Sequence, residues 1–79
     1  MKKQDVHGFK VFFEKDAQKG VNYLDHDLDY KEAEIFFRNA KFRGETQFED
    51  DDDRDYDLTY DRNKGTYTVI KRKKSGGWF

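Results

Sequence analysis

The segment Leu28–Gly44 constrains the fold more than any other, because a complete set of helix signals is packed into it. Asp29 followed by Glu32 reads as a capping box, in which the aspartate accepts an orphan amide of the first turn and the glutamate reaches back to the cap. Gly44 supplies a left-handed stop. Glu32 and Glu34 sit near the positive end of the helix dipole, and Lys41 and Arg43 near its negative end. Between them Ala33, Phe36, Phe37 and Ala40 recur at i, i+3, i+4 and i+7, and Leu28 is placed to staple onto Ala33. One face of this helix is therefore apolar and needs a second layer to cover it.

The flanking sequence provides that layer as strands. Phe9, Val11 and Phe13 alternate with Lys10 and Glu14, leaving Phe12 as an aromatic on the polar side. Asp16-Ala17-Gln18-Lys19-Gly20 then reads as a turn before Val21-Asn22-Tyr23. Asp61-Arg62-Asn63-Lys64-Gly65 repeats that chemistry before Thr66-Tyr67-Thr68-Val69. After the helix, Thr46 and Phe48 alternate with polar residues, Asp50–Arg54 is a charged connection, and Tyr56, Leu58 and Tyr60 alternate with Asp55, Asp57, Thr59 and Asp61. The expectation is a single α+β domain over 1–79 in the order ββαβββ, an antiparallel sheet with one helix packed on one face. Residues 1–5 and 75–79 are expected to be flexible tails. The inner face would carry Phe9, Val11, Phe13, Val21, Tyr23, Phe48, Tyr56, Leu58, Tyr60, Tyr67 and Val69.

Composition bounds the function. Charged residues are 42% and hydrophobic ones 34%, a balance that leans toward disorder except for the local periodicities, and the core must draw on eight Phe and five Tyr. Without cysteine neither a disulfide framework nor a thiolate metal site can form, so a reducing, cytoplasmic setting is expected. No apolar run approaches the length of a membrane span, and Met1–Asp5 is not followed by a signal-type apolar core. The formal net charge of −1 conceals segregation: residues 1–44 sum to +1, residues 45–61 to −8 and residues 62–79 to +6. Two opposite poles on a neutral chain point to binding of a charged macromolecule.

The acidic pole comprises Glu49, Asp50, Asp51, Asp52, Asp53, Asp55, Asp57 and Asp61. On a strand Asp55, Asp57 and Asp61 share one face at roughly 6.6 Å per two residues, which imitates the spacing of backbone phosphates. The expected function is accordingly that of a small non-catalytic binding protein whose acidic surface occupies a basic protein partner, and such chains resemble the accessory proteins of phages and mobile elements. The alternative is nucleic-acid binding by the basic pole Lys71, Arg72, Lys73 and Lys74, with Trp78 stacking on a base. The chain is expected to act as a monomer or homodimer. His7 and His26 read as loop histidines whose spacing selects no metal or acid–base site, and aligning Asp51 with an EF-hand puts Tyr56 where glycine is needed. No catalytic residue, metal or cofactor is expected from any motif.

Residues 16–33 carry Asp16, Lys19, Asn22, His26, Tyr30, Glu32 and Ala33 in an order that resembles the opening of BrnT-type toxins, small ribonucleases with a fold similar to RelE. The resemblance implies that Asp16 to His26 is helical, against the turn reading. It also implies that Lys19, His26, Arg38 and Arg72 are candidates for RNA binding or cleavage.

Overall fold

The computed structural model describes residues 1–72. Five strands form one sheet, β1 (Lys2–Val6), β2 (Phe9–Phe13), β3 (Glu45–Glu49), β4 (Asp55–Asp61) and β5 (Thr66–Lys71), in the order β1-β2-β5-β4-β3. The long helix α2 (Tyr30–Arg43) packs on one face together with a continuous helical segment before it. That segment is a 3-10 turn (Lys15–Ala17), the short helix α1 (Gln18–Asn22) and a π-helical turn (Tyr23–Asp27). The α+β class is as expected.

Three expectations about the first half are corrected. Residues 2–6 are a strand rather than a tail, joined to β2 by His7-Gly8, both left-handed at φ 52° and 92°. Two such residues in succession make the mirror-image turn whose twist suits a tight hairpin. Residues 16–26 are helical, as the toxin resemblance implies, so the second strand expected at Val21–Tyr23 does not exist. The sheet is also mixed rather than antiparallel, because β2 runs parallel to β5 with Val11 opposite Tyr67 and Phe13 opposite Val69.

The second half follows its local signals. Asp29 accepts the Glu32 amide at 2.8 Å while its own amide donates to Glu32 Oε1 at 2.9 Å, and Gly44 closes the helix at φ 92°. In the β4–β5 turn Asp61 Oδ1 accepts the amides of Asn63 and Lys64, and Gly65 is left-handed at φ 67°.

Every residue named for the inner face belongs to the core or packs against it, although Val21 and Tyr23 arrive there from the helical segment. The interior is strongly aromatic: Phe37 stacks on Phe9 at 4.2 Å and meets the edge of Tyr67 at 4.8 Å, while Phe48 stacks on Tyr56 at 5.1 Å. Val6, Ala17 and Leu24 complete it. The opposite face of the sheet, with Phe12, Thr59 and Thr68 half-buried and Ile70 exposed, carries no helix. Both edge strands are short and charged on most of their exposed positions, which discourages edge-to-edge pairing.

Candidate nucleic-acid interface

The acidic stretch is largely occupied by the protein's own donors. Asp50 is buried, and its carboxylate accepts four hydrogen bonds. The Asp52 and Arg54 amides reach Oδ1 at 3.0 Å each, while Arg54 Nε and the Tyr56 hydroxyl reach Oδ2 at 2.8 and 2.9 Å. Burial pushes the Asp50 carboxyl up, but the Arg54 amide, the Tyr56 hydroxyl and the Arg54 guanidinium outweigh it and hold the pKa below the usual carboxylate value. Asp52 pairs with Arg54 at 2.9 Å, Asp57 with Arg72 at 3.7 Å, and Asp61 caps its turn. Asp50 is therefore an internal anchor of the loop rather than part of a contact surface.

What stays open on this side is smaller. Asp51 and Asp53 are exposed, and Asp55 is half-buried on the outer face with Asp57. Asp51 lies beside Asp27, and burial together with that neighbouring carboxylate pushes its pKa up. The Tyr23 hydroxyl is pushed up as well, by burial and then by Asp51 and Asp27. The Asp27 and Asp51 carboxylates are crowded against each other here.

The basic residues gather differently from the expectation. Lys73, Lys74, Trp78 and the segment 75–79 lie outside the described residues. Lys71, on β5, does not join Arg72. It lines an open cleft of about 500 Å³ with Lys2 of β1, Lys15 and Lys19 of the helical segment, and Arg54. Asp16 is the one carboxylate of that lining, and Gln18 and Asn22 supply side-chain amides. Among the described residues the side chains of Lys2, Lys15, Lys19 and Lys71 have no hydrogen-bond or ion-pair partner, whereas Arg54 is committed to Asp50 and Asp52. The local cause is the helicity of 15–27: it turns Ala17, Val21 and Leu24 into the core and leaves Lys15 and Lys19 exposed.

Of the four candidates for RNA binding or cleavage that the toxin resemblance implies, Lys19 alone lines this cleft, beside Asp16 and Asn22 of the matching pattern. Arg38 is on α2, 3.8 Å from Glu34, His26 is exposed 3.7 Å from Asp25, and Arg72 pairs with Asp57. His7 has a structural role: its Nε2 lies 3.1 Å from the Leu24 carbonyl and 3.0 Å from that of Leu28. Since both partners can only accept, Nε2 carries the proton and donates, tying the β1–β2 turn to the end of the helical segment. Gln4 strengthens this link by donating to Asp25 Oδ2 at 2.9 Å.

Among the described residues no group of three or more His, Asp or Glu side chains is arranged to hold a metal ion, and no helix is long and apolar enough to cross a membrane. No family model, curated protein or solved structure matches the chain.

Proposed function

We propose that this protein is RNA-directed, holding a phosphate backbone in the cleft beside α1, with backbone cleavage of the kind the BrnT resemblance implies as its activity. The observation that carries this reading is the convergence of Lys2, Lys15, Lys19 and Lys71 from separate elements, their side chains without partners among the described residues. Four ammonium groups around one depression form a site for successive phosphates, and affinity gained that way is steeply salt-dependent. The helicity of 16–26, which the resemblance implies, supports the same reading.

RNA brings its own nucleophile, the 2′-hydroxyl, so a protein that cleaves it needs chiefly to stabilise charge on phosphorus. In the cleft Asp16 is the carboxylate available to take the 2′-hydroxyl proton. The lysines would neutralise the charge that accumulates as the 2′-oxygen attacks and the bond to the 5′-oxygen breaks, and one ammonium would return a proton to that leaving oxygen.

Fluorescence anisotropy with a single-stranded RNA tests the binding step. Replacing both Lys15 and Lys19 by alanine is expected to flatten the plot of log affinity against log salt by about 0.7 per lysine removed. A wild-type affinity indifferent to salt would refute the reading. Incubation of the same RNA with wild type and Lys19→Ala, followed on a denaturing gel, tests cleavage; intact RNA throughout reduces the function to binding.

A second reading, in which the acidic side engages a basic protein, is favoured by the crowding of Asp51 against Asp27, which a cationic partner would relieve. Loss of a basic protein from a nuclease-treated pull-down on changing Asp51 and Asp53 to asparagine would support it, with Asp50 left in place to keep the loop folded.

A further inference from the structure

The helix α2 presents an aromatic ring to solvent near its C-terminal end. Phe42 is 84% exposed, and it lies outside the buried stripe of Ala33, Phe37 and Ala40. Its chain neighbours are Lys41 and Arg43. It helps line two adjoining depressions, one of about 490 Å³ with Arg38 and Lys41, the other of about 280 Å³ with Lys41, Arg43, Tyr60 and Arg62. No carboxylate lines either depression among the described residues, and Lys41, Arg43 and Arg62 have no ion-pair partner there. Lys41 continues into a third depression with Lys10 and Lys64, so the cationic surface extends around the end of the helix.

We propose that this surface is a second nucleic-acid contact, in which Phe42 stacks one unpaired base and Lys41, Arg43 and Arg62 take the flanking phosphates. None of the residues of the cleft beside α1 takes part. Stacking on an exposed ring is tolerant of base identity, and cations on both sides of the ring suit a strand whose phosphates flank each base. A symmetric contact between two copies through Phe42 fits poorly, because it would bring Arg38, Lys41 and Arg43 of both copies together. Among the described residues, the exposed apolar area of this face beyond Phe42 amounts to Ile35, 60% exposed one heptad earlier, well short of the roughly 800 Å² per partner of a stable interface.

Single-stranded RNA of about ten nucleotides carrying 2-aminopurine reports stacking directly, as quenching on binding, and its affinity can be followed by anisotropy. Phe42→Ala should weaken binding by about five- to a hundredfold and abolish the quenching, while Phe42→Trp preserves both. Because Phe42 is exposed, the thermal melt should stay unchanged. Equal affinity and quenching for wild type and Phe42→Ala would overturn the proposal. So would a concentration-dependent mass in light scattering that disappears with Phe42→Ala, which would assign the ring to a second copy. The Lys15→Ala/Lys19→Ala variant separates the two sites: if it binds like wild type while Phe42→Ala does not, the α2 surface stands and the α1 cleft falls.

Discussion

Asp50→Asn is expected to lower the unfolding free energy by about 3 kcal/mol, measured by urea denaturation, a large share of the roughly 5 kcal/mol that a domain this small can hold. The replacement keeps the shape and one carbonyl oxygen, which can still accept the Asp52 and Arg54 amides. Its amide group, however, faces Arg54 Nε and the Tyr56 hydroxyl, two donors already aimed at that position. The new amide then opposes the Arg54 Nε–H, donor against donor, with the Tyr56 hydroxyl oxygen left to accept from it, next to a guanidinium that has lost its buried counter-charge. The neighbouring Asp53 provides the control. It is exposed and left-handed at φ 62°, a conformation asparagine tolerates well, so Asp53→Asn should change stability by less than about 0.5 kcal/mol. Equal effects at the two positions would contradict the internal-anchor role. The pH dependence has a defined sign. The Asp50 pKa is lowered by folding, so its contribution is complete above the ordinary carboxylate range and is lost as pH falls through the lowered value. Asp50→Asn should accordingly show a shallower acid limb than wild type.

Gly20→Ala is expected to destabilise the protein by about 2 kcal/mol, against the general preference of helices for alanine, which taken alone would favour the change by about 1 kcal/mol. A Cβ at position 20 would lie 2.6 Å from Cε1 and 2.7 Å from Cδ1 of Tyr56, closer than non-bonded carbons approach. The ring has little room to retreat, because its hydroxyl is bonded to Asp50 and its face is stacked on Phe48. The steric and propensity effects can be separated by a double-mutant cycle. In a Tyr56→Leu background, which removes the ring, Gly20→Ala should cost far less or become favourable. Stabilisation in the wild-type background would mean that the segment shifts freely and that the close approach is not required.

These two positions also mark where the sequence was readable and where it was not. The long helix and the β4–β5 hairpin depend on contacts within a few residues, Asp29 with Glu32 and Asp61 with the amides that follow it, so their signals are local and were legible. Asp16–Gly20 shares the Asp-x-amide-Lys-Gly pattern of Asp61–Gly65, yet folds as helix, with Ala17 and Val21 buried and Gly20 pressed against Tyr56 across the chain. A helical signal was present, since Ala17, Val21, Leu24 and Leu28 recur at helical spacing, but the turn chemistry concealed it. The strand β1 was illegible because only Val6 of its five residues is buried, and nothing in an alternating pattern distinguishes a parallel neighbour from an antiparallel one. Asp50 could not be told from Asp51, Asp52 and Asp53 by type; Arg54, the single cation in that run, was the available hint. The α1 cleft escapes the sequence for the same reason as the helical segment that builds it, since the turn chemistry of Asp16–Gly20 puts Lys19 in a turn.

The placement of β5 bears on how the molecule is assembled during synthesis. The strand at the centre of the sheet is the last of the five to leave the ribosome, and the two strands it joins, β2 and β4, belong to separate hairpins. Until Thr66–Lys71 emerges, each hairpin exposes an unpaired inner edge and half of an aromatic interior. The nascent chain therefore gains its cooperative fold in one late step, and a chain stopped before Thr66 has two hairpins with no strand to bridge them.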